Sequence, residues 1–250
     1  MTLCSVVTIM KKWQVFLILL GMVISAFIFR TQLKRYVAVA FRAAGARKTV
    51  ADRLEEYGET VRKRLLPFFQ AADVPYPPEK IVLVGLKQEK KLEVWACGLE
   101  NQFKLVRTYP ILAASGQLGP KLKEGDYQVP EGLYRIESLN PNSTFHLSLK
   151  LNYPNDFDRQ QATIEGRANL GGDIMIHGNN VSIGCLAMGD EAAEDIFVLA
   201  AIVGFDNILV ILSPVDLRTT QMPELSYLLP PWIKALYEQI KQEISKLKNQ

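Results

Sequence analysis

Two histidines and three cysteines are all that 250 residues offer of the side chains that most often hold transition metals or staple small folds. So few thiols cannot make a disulfide framework, and two imidazoles leave little room for a histidine-rich metal centre. No metal and no cofactor is expected. Charged residues reach only 22% while the hydrophobic share is 48%, a balance that excludes a disordered chain. Net charge is small as well, at +3, but its placement carries more than its size. Residues 1–35 hold Lys11, Lys12, Arg30, Lys34 and Arg35 and no acid, whereas residues 67–250 hold 17 basic and 22 acidic side chains. A basic start on an acidic body points away from nucleic acid as a partner and toward a membrane.

One apolar run is long. Trp13 to Phe29 has only Gln14 and Ser25 as polar side chains, at the short end of the roughly 17–25 residues that span a hydrocarbon core. Lys11 and Lys12 precede it, and Met10 would be an alternative start. No small-x-small cleavage site follows Phe29 directly, so an uncleaved transmembrane anchor is favoured over a cleaved signal segment. Positive charge on both flanks leaves the orientation open.

Further on, Thr49 is placed to cap a helix with Val50, Leu54, Tyr57, Val61 and Leu65 at helical spacing. Its other face is charged, so it is expected to be a solvated surface helix, with a membrane-surface role as the alternative. Pro75, Pro77 and Pro78 mark a domain boundary. Short β-segments follow at Ile81–Leu86, Leu92–Cys97 and Phe103–Pro110. Thr144–Leu151 alternates, with Phe145, Leu147, Leu149 and Leu151 on one side and Thr144, His146, Ser148 and Lys150 on the other. Residues 116–132 are expected to be a loop with a short strand inside. Asp173–His177 and Asn207–Leu212 are further strands, and between them Asp190 is expected to cap a helix that Gly204 ends. Pro230 and Pro231 open a last helix. The fold class is α+β, β-rich at its centre with flanking helices. Four segments are expected: residues 1–35 as anchor or signal, 36–78 as amphipathic helix and proline-rich linker, 79–215 as the catalytic domain, and 216–250 as a C-terminal helix packed on it.

One stretch combines the scarce residues. Ile174-Met175-Ile176-His177-Gly178-Asn179-Asn180-Val181-Ser182-Ile183-Gly184-Cys185 sets a histidine at a strand end, eight residues before a cysteine behind a glycine. A cysteine nucleophile needs a neighbouring base, because a free thiol titrates near ~8.5. A strand–turn–return connection can bring His177 and Cys185 face to face. Gly184 would let a carbonyl approach the sulfur, and the N–H groups of Gly184 and Cys185 are candidates for an oxyanion site. A backbone carbonyl near Gly178 is the candidate to orient the imidazole. The competing readings are an inert buried thiol and a strand-end histidine bonded to a carbonyl; a metal reading that recruits Asp173 or Asp190 lacks ligand spacing.

The runs His177-Gly178 and Ser182-x-Gly184-Cys185, with Val129-Pro130-Glu131-Gly132-Leu133-Tyr134 upstream, resemble the signature of the L,D-transpeptidase catalytic domain of the YkuD type. Ile183 stands where that pattern has a histidine. Together with Asn152-Tyr153-Pro154-Asn155-x-Phe157-Asp158-Arg159 and Gly184-Cys185-x-Ala187-Met188-x-Asp190, the short gap is similar to the YafK-like subgroup. The resemblance implies a peptidoglycan-modifying cysteine acyltransferase in which Cys185 attacks the meso-diaminopimelate carbonyl of a stem peptide and His177 moves the proton. It also implies a domain facing the periplasm of a Gram-negative bacterium, tethered to the inner membrane through residues 13–29. In the subgroup, hydrolysis that detaches wall-linked lipoprotein is the implied outcome; the missing histidine leaves an inactive wall-binding module as the rival. Ser182, Tyr153, Arg159 and Arg167 are candidates to bind substrate, Cys97 to be a packed thiol, and His146 to be a structural donor.

Overall fold

A computed structural model describes residues 30, 47–98, 100, 102–221 and 229–247. The apolar run 13–29 lies outside the described residues, and among those described no helix is long and apolar enough to cross a membrane. The chain divides into two compact units, residues 1–47 and 48–250; the second carries every element below.

It opens with α1 (Val50–Ala71), capped as expected: the Thr49 hydroxyl accepts the N–H of Asp52, whose carboxylate accepts the N–H of Thr49. Val61, Leu65 and Phe69 of α1 are at most 1% exposed, so its apolar stripe is core. The compact unit therefore begins before the proline boundary expected at Pro75–Pro78, and the helix preceding those prolines belongs to it. The prolines turn the chain from α1 into β1 within that one unit.

Two five-stranded sheets follow, mixed with helices. The first has the order β3-β2-β1-β10-β5, built from β1 (Lys80–Leu86), β2 (Lys91–Cys97), β3 (Lys104–Pro110), β5 (Gly132–Tyr134) and β10 (Ile208–Ser213). The second has the order β4-β9-β8-β7-β6, from β4 (Ala113–Ala114), β6 (Ile136–Ser143), β7 (His146–Leu151), β8 (Met175–His177) and β9 (Leu186–Ala187). Helices α2 (Asp156–Ile164) and α3 (Asp190–Val203) lie between strands in the sequence, and α4 (Ile233–Ser245) ends the fold. Among the described residues, only β1–β10 and β8–β9 pair in parallel.

Why β1 is a continuous apolar run, without alternation, follows from the layering. Ile81 and Leu83 enter a core shared with α1, α3 and the second sheet, while Val82, Val84 and Leu86 enter another with Ile233, Leu236, Tyr237 and Ile240 of α4. A strand covered on both faces has no polar side to show. Each fully buried aliphatic side chain contributes roughly 1.5–3 kcal/mol.

Three expectations fail locally. No strand lies inside residues 115–131. Side chains hold that segment: Lys87 Nζ donates to the carbonyls of Gln117, Gly119 and Val129 and to Glu131 Oε1, and Asp126 accepts the N–H groups of Leu122, Lys123 and Gln128. Second, β7 starts at His146, whose φ of 70° puts Phe145 in the turn; Ser148, expected on a polar face, is fully buried. Third, Asp190 is the first residue of α3, not its cap. Gly189 (φ 77°) occupies the cap position without a side chain, and the Asp190 carboxylate is directed elsewhere.

Candidate active site

The parallel ladder between β8 and β9 sets the site. Ile176 pairs with Leu186 and His177 with Ala187. Side chains alternate across a strand, so Ile176 and Leu186 point into the core, at 0% and 1% exposure. His177 and Ala187 share the other face. Cys185 directly precedes β9, in the bend that carries the chain into that strand.

The imidazole is held in one orientation. His177 is 2% exposed, and its Nδ1 lies 2.6 Å from the carbonyl oxygen of Gly178. A carbonyl can only accept, so Nδ1 carries the proton and Nε2 keeps the free lone pair. Phe145 covers the ring with a centroid separation of 4.8 Å. On the neighbouring strand Ser148 is the residue directly opposite His177, and its buried hydroxyl has no hydrogen-bond partner among the described residues. Burial pushes the imidazole below its ordinary value, against the opposing pull of the Gly178 carbonyl.

Cys185 is partly buried, and its thiol donates to the carbonyl of Asp173 at 3.6 Å. Burial raises the thiol above its ordinary value, with the backbone N–H of Met175 opposing. Both shifts favour the uncharged forms, a neutral thiol and a neutral imidazole. The second thiol, Cys97, is wholly buried in β2.

Ser182 organises the turn before the cysteine. Its Oγ donates to the carbonyl of Cys185 at 2.6 Å and lies 3.3, 3.3 and 3.2 Å from the backbone nitrogens of Ser115, Gly184 and Cys185. The two N–H groups expected to await an oxyanion therefore point at the Ser182 hydroxyl, together with a third that sequence reasoning missed. Three N–H donors thus converge on this one hydroxyl oxygen. Gly184 adopts φ 123°, which excludes a side chain. Ile183, where the family pattern has histidine, is 78% exposed.

The other expected substrate contacts are scattered. Tyr153 is 3% exposed and its hydroxyl donates to the carbonyls of Lys121 and Leu170, so it frames the fold and has no proton left to offer a carboxylate. Arg159 is 60% exposed and pairs with Asp156 at 3.6 Å; it borders a cleft of about 430 Å³ with Lys150, Asn152 and Asp173. Arg167 is held by the Leu122 carbonyl and Glu165, on the rim of a second cleft of about 520 Å³ that includes Lys123 and Gln128. Asp173 gives its carbonyl to the thiol, and the Gln128 carbonyl lies beside Gly184. Each cleft thus includes one neighbour of the Cys185 turn, Asp173 in the first and Gln128 in the second. His146 bonds to Glu194 at 3.0 Å and packs edge-on against Tyr57, a structural contact. Among the described residues no three His, Cys, Asp or Glu side chains gather as a metal site.

Residues 79–210 match the model of the L,D-transpeptidase catalytic domain, YkuD. The chain is 32% identical over 160 residues to YafK of Escherichia coli (strain K12), an L,D-transpeptidase by name, a match that covers 62% of this chain and 61% of that protein. It thus spans about three fifths of the length of the curated relatives it matches. Among solved structures, the helical cell shape determining protein Pgp2 from Campylobacter jejuni is similar at 17% identity and a TM-score of 0.44, covering 68% of this chain and 70% of that one. Bd1075 of Bdellovibrio bacteriovorus is similar at 20% identity and a TM-score of 0.40, covering 69% and 56%.

Proposed function

This chain belongs to the L,D-transpeptidase catalytic-domain family, and from that premise we propose that it modifies peptidoglycan by cysteine acyl transfer. The observation that supports the reading is the parallel pairing of β8, which ends at His177, with β9, which Cys185 directly precedes, together with the Gly178 carbonyl that leaves His177 Nε2 free to accept a proton.

In this reading the thiol proton passes to His177 Nε2 as sulfur attacks the carbonyl carbon of meso-diaminopimelate in a stem peptide. A C–S bond forms and the carbonyl oxygen takes the negative charge; for the N–H groups of Gly184 and Cys185 to receive it, they would have to leave the Ser182 hydroxyl that they meet in the resting structure. The C–N bond then breaks as the imidazolium returns its proton to the leaving amine, which leaves a thioester. An amine completes transpeptidation; water completes hydrolysis. The raised thiol and lowered imidazole support a proton that moves during the attack rather than a thiolate stored beforehand.

Hydrolysis that frees wall-linked lipoprotein is the second outcome of the same chemistry. The N-terminal apolar segment and its basic flanks favour an inner-membrane tether, with the domain on the periplasmic side where the wall lies. The test is mass spectrometry of muropeptides incubated with the protein. New cross-links identify a transferase, and trimmed stems or released lipoprotein ends identify a hydrolase. Unchanged muropeptides, with no adduct on Cys185, would refute the proposal in favour of a wall-binding module.

A further inference from the structure

The peptide group between Gly178 and Asn179 is engaged at both ends. Its oxygen accepts from His177 Nδ1 at 2.6 Å, and its N–H donates to Asp190 Oδ1 at 2.8 Å. Two residues far apart in role are thus joined through one amide plane: the imidazole on β8 and the carboxylate that opens α3. A peptide whose N–H faces an anion becomes a stronger acceptor at its carbonyl, since hydrogen bonds in series polarise one another.

The local chain is shaped for this approach. A Cβ on Gly178 would stand 2.6 Å from Asp190 Oδ1, 2.8 Å from the Phe145 carbonyl and 2.9 Å from His146 Cβ, so only glycine admits the carboxylate. Asn179 takes φ 62°, which asparagine tolerates better than most residues. Flanking bonds lock the junction: Met188 N–H donates to the His177 carbonyl and Gly189 N–H to the Asn179 carbonyl, both at 2.8 Å. Asp190 therefore cannot drift from the turn without breaking the β9–α3 connection.

We propose that Asp190 is the positioning residue of His177, acting through the Gly178–Asn179 peptide as a carboxylate acts directly on histidine in a Ser-His-Asp triad. It holds the Nδ1–H tautomer and stabilises the imidazolium that forms when the thiol proton is taken. Its catalytic importance rests on the assignment of Cys185 and His177 above; its effect on the imidazole does not. The charged and titratable groups around this turn are Asp190 and Glu194 of α3, His146 of β7 (bonded to Glu194), Cys185 ahead of β9, and the Lys150–Asp173 ion pair further along the sheet. Only Asp190 is bonded to the peptide that carries the Nδ1 acceptor.

The experiment is a long-range ¹H–¹⁵N NMR titration of the full chain in detergent micelles, where only two histidines contribute. Asp190→Asn keeps an oxygen for the Asn179 N–H but removes the charge. It should lower the His177 pKa by about one unit and shift the Nδ1–H resonance. Glu191→Gln removes equal charge from the same helix turn without touching the peptide, and should leave His177 within about 0.2 unit of wild type. Acylation of Cys185 by a carbapenem, measured in parallel, should slow about ten-fold in Asp190→Asn with an unchanged KM. An unshifted His177 in Asp190→Asn, or an equal shift in Glu191→Gln, overturns the relay. A His177 shift in Asp190→Asn, found together with a wild-type protein that never acylates, would uphold the relay and refute the catalytic reading.

Discussion

The hydroxyl of Ser182 sits 3.2 Å from the backbone nitrogen of Cys185 and donates to the carbonyl of the same residue at 2.6 Å. One side chain therefore clamps both polar ends of the cysteine that the account makes the nucleophile. Ser182→Ala leaves three N–H groups without this acceptor. We expect a stability loss of about 1–2 kcal/mol and a roughly ten-fold fall in kcat with little change in KM. A rise in KM alone, measured with a stem tetrapeptide, would show instead that Ser182 touches substrate.

Burial raises the Cys185 thiol and lowers the His177 imidazole, so the pair is neutral near pH 7. Alkylation of Cys185 by iodoacetamide should climb steadily from pH 6 to 9 without an acidic plateau. A plateau below pH 7 would reveal a stored thiolate–imidazolium pair. Cys97, at 0% exposure, should stay unlabelled until the protein unfolds. The lowered imidazole has a thermodynamic side as well. As pH falls below about 6.5 the unfolded chain protonates first, so the stability that His177 contributes at higher pH is progressively lost.

Asp158 behaves in the opposite sense. Burial lifts its carboxyl from 3.8 to about 6, despite the Asn155 N–H and Tyr134 hydroxyl that it accepts. The unfolded carboxyl ionises first, so the contribution is complete below pH 3.8 and fades as pH rises through about 6. Asp158→Asn, which retains an acceptor oxygen, should stabilise the protein by roughly 2 kcal/mol at pH 8 and by nothing measurable at pH 4. Calorimetry at the two pH values checks the sign.

Asp195 ties three elements together. It is wholly buried and accepts from Arg64 Nε at 2.7 Å, Arg107 Nη1 at 3.1 Å and the Tyr109 hydroxyl at 2.7 Å. Removing one member leaves the others uncompensated, so Asp195→Ala should cost about 3–5 kcal/mol. Tyr109→Phe should cost nearer 1 kcal/mol. Urea titrations separate the two; equal losses would mean that packing, not charge, dominates.

Much of this was legible in the residues. The Thr49 cap, the first three strands, the β8 and β10 strands and the terminal helix appear where periodicity and punctuation put them, within a residue or two. The return of the chain after His177 into a strand that starts just after Cys185 could be suspected from a glycine-flanked strand–turn–return, because a sheet can close such a turn locally. Other features depend on contacts between distant segments. The burial of α1 against α3 and the sheets needs partners more than a hundred residues away. The loop 115–131 owes its course to Lys87, a side chain at the end of β1 that no local pattern marks. Asp190 looked like a helix cap because aspartate before an apolar run usually is one; here the carboxylate turns back to the Asn179 N–H. Tyr153 looked like a ligand group because sequence does not reveal that its hydroxyl is already committed to two carbonyls.

The central claim is that Cys185 carries an acyl group from the stem peptide, and intact-protein mass spectrometry tests it most directly. Mixed with a disaccharide tetrapeptide and quenched in acid, the wild-type chain should gain the mass of the acyl fragment, mapped to the peptide that holds Cys185 and removed by hydroxylamine. Cys185→Ala should gain nothing and leave the substrate intact. Turnover of the tetrapeptide by Cys185→Ala would contradict the account.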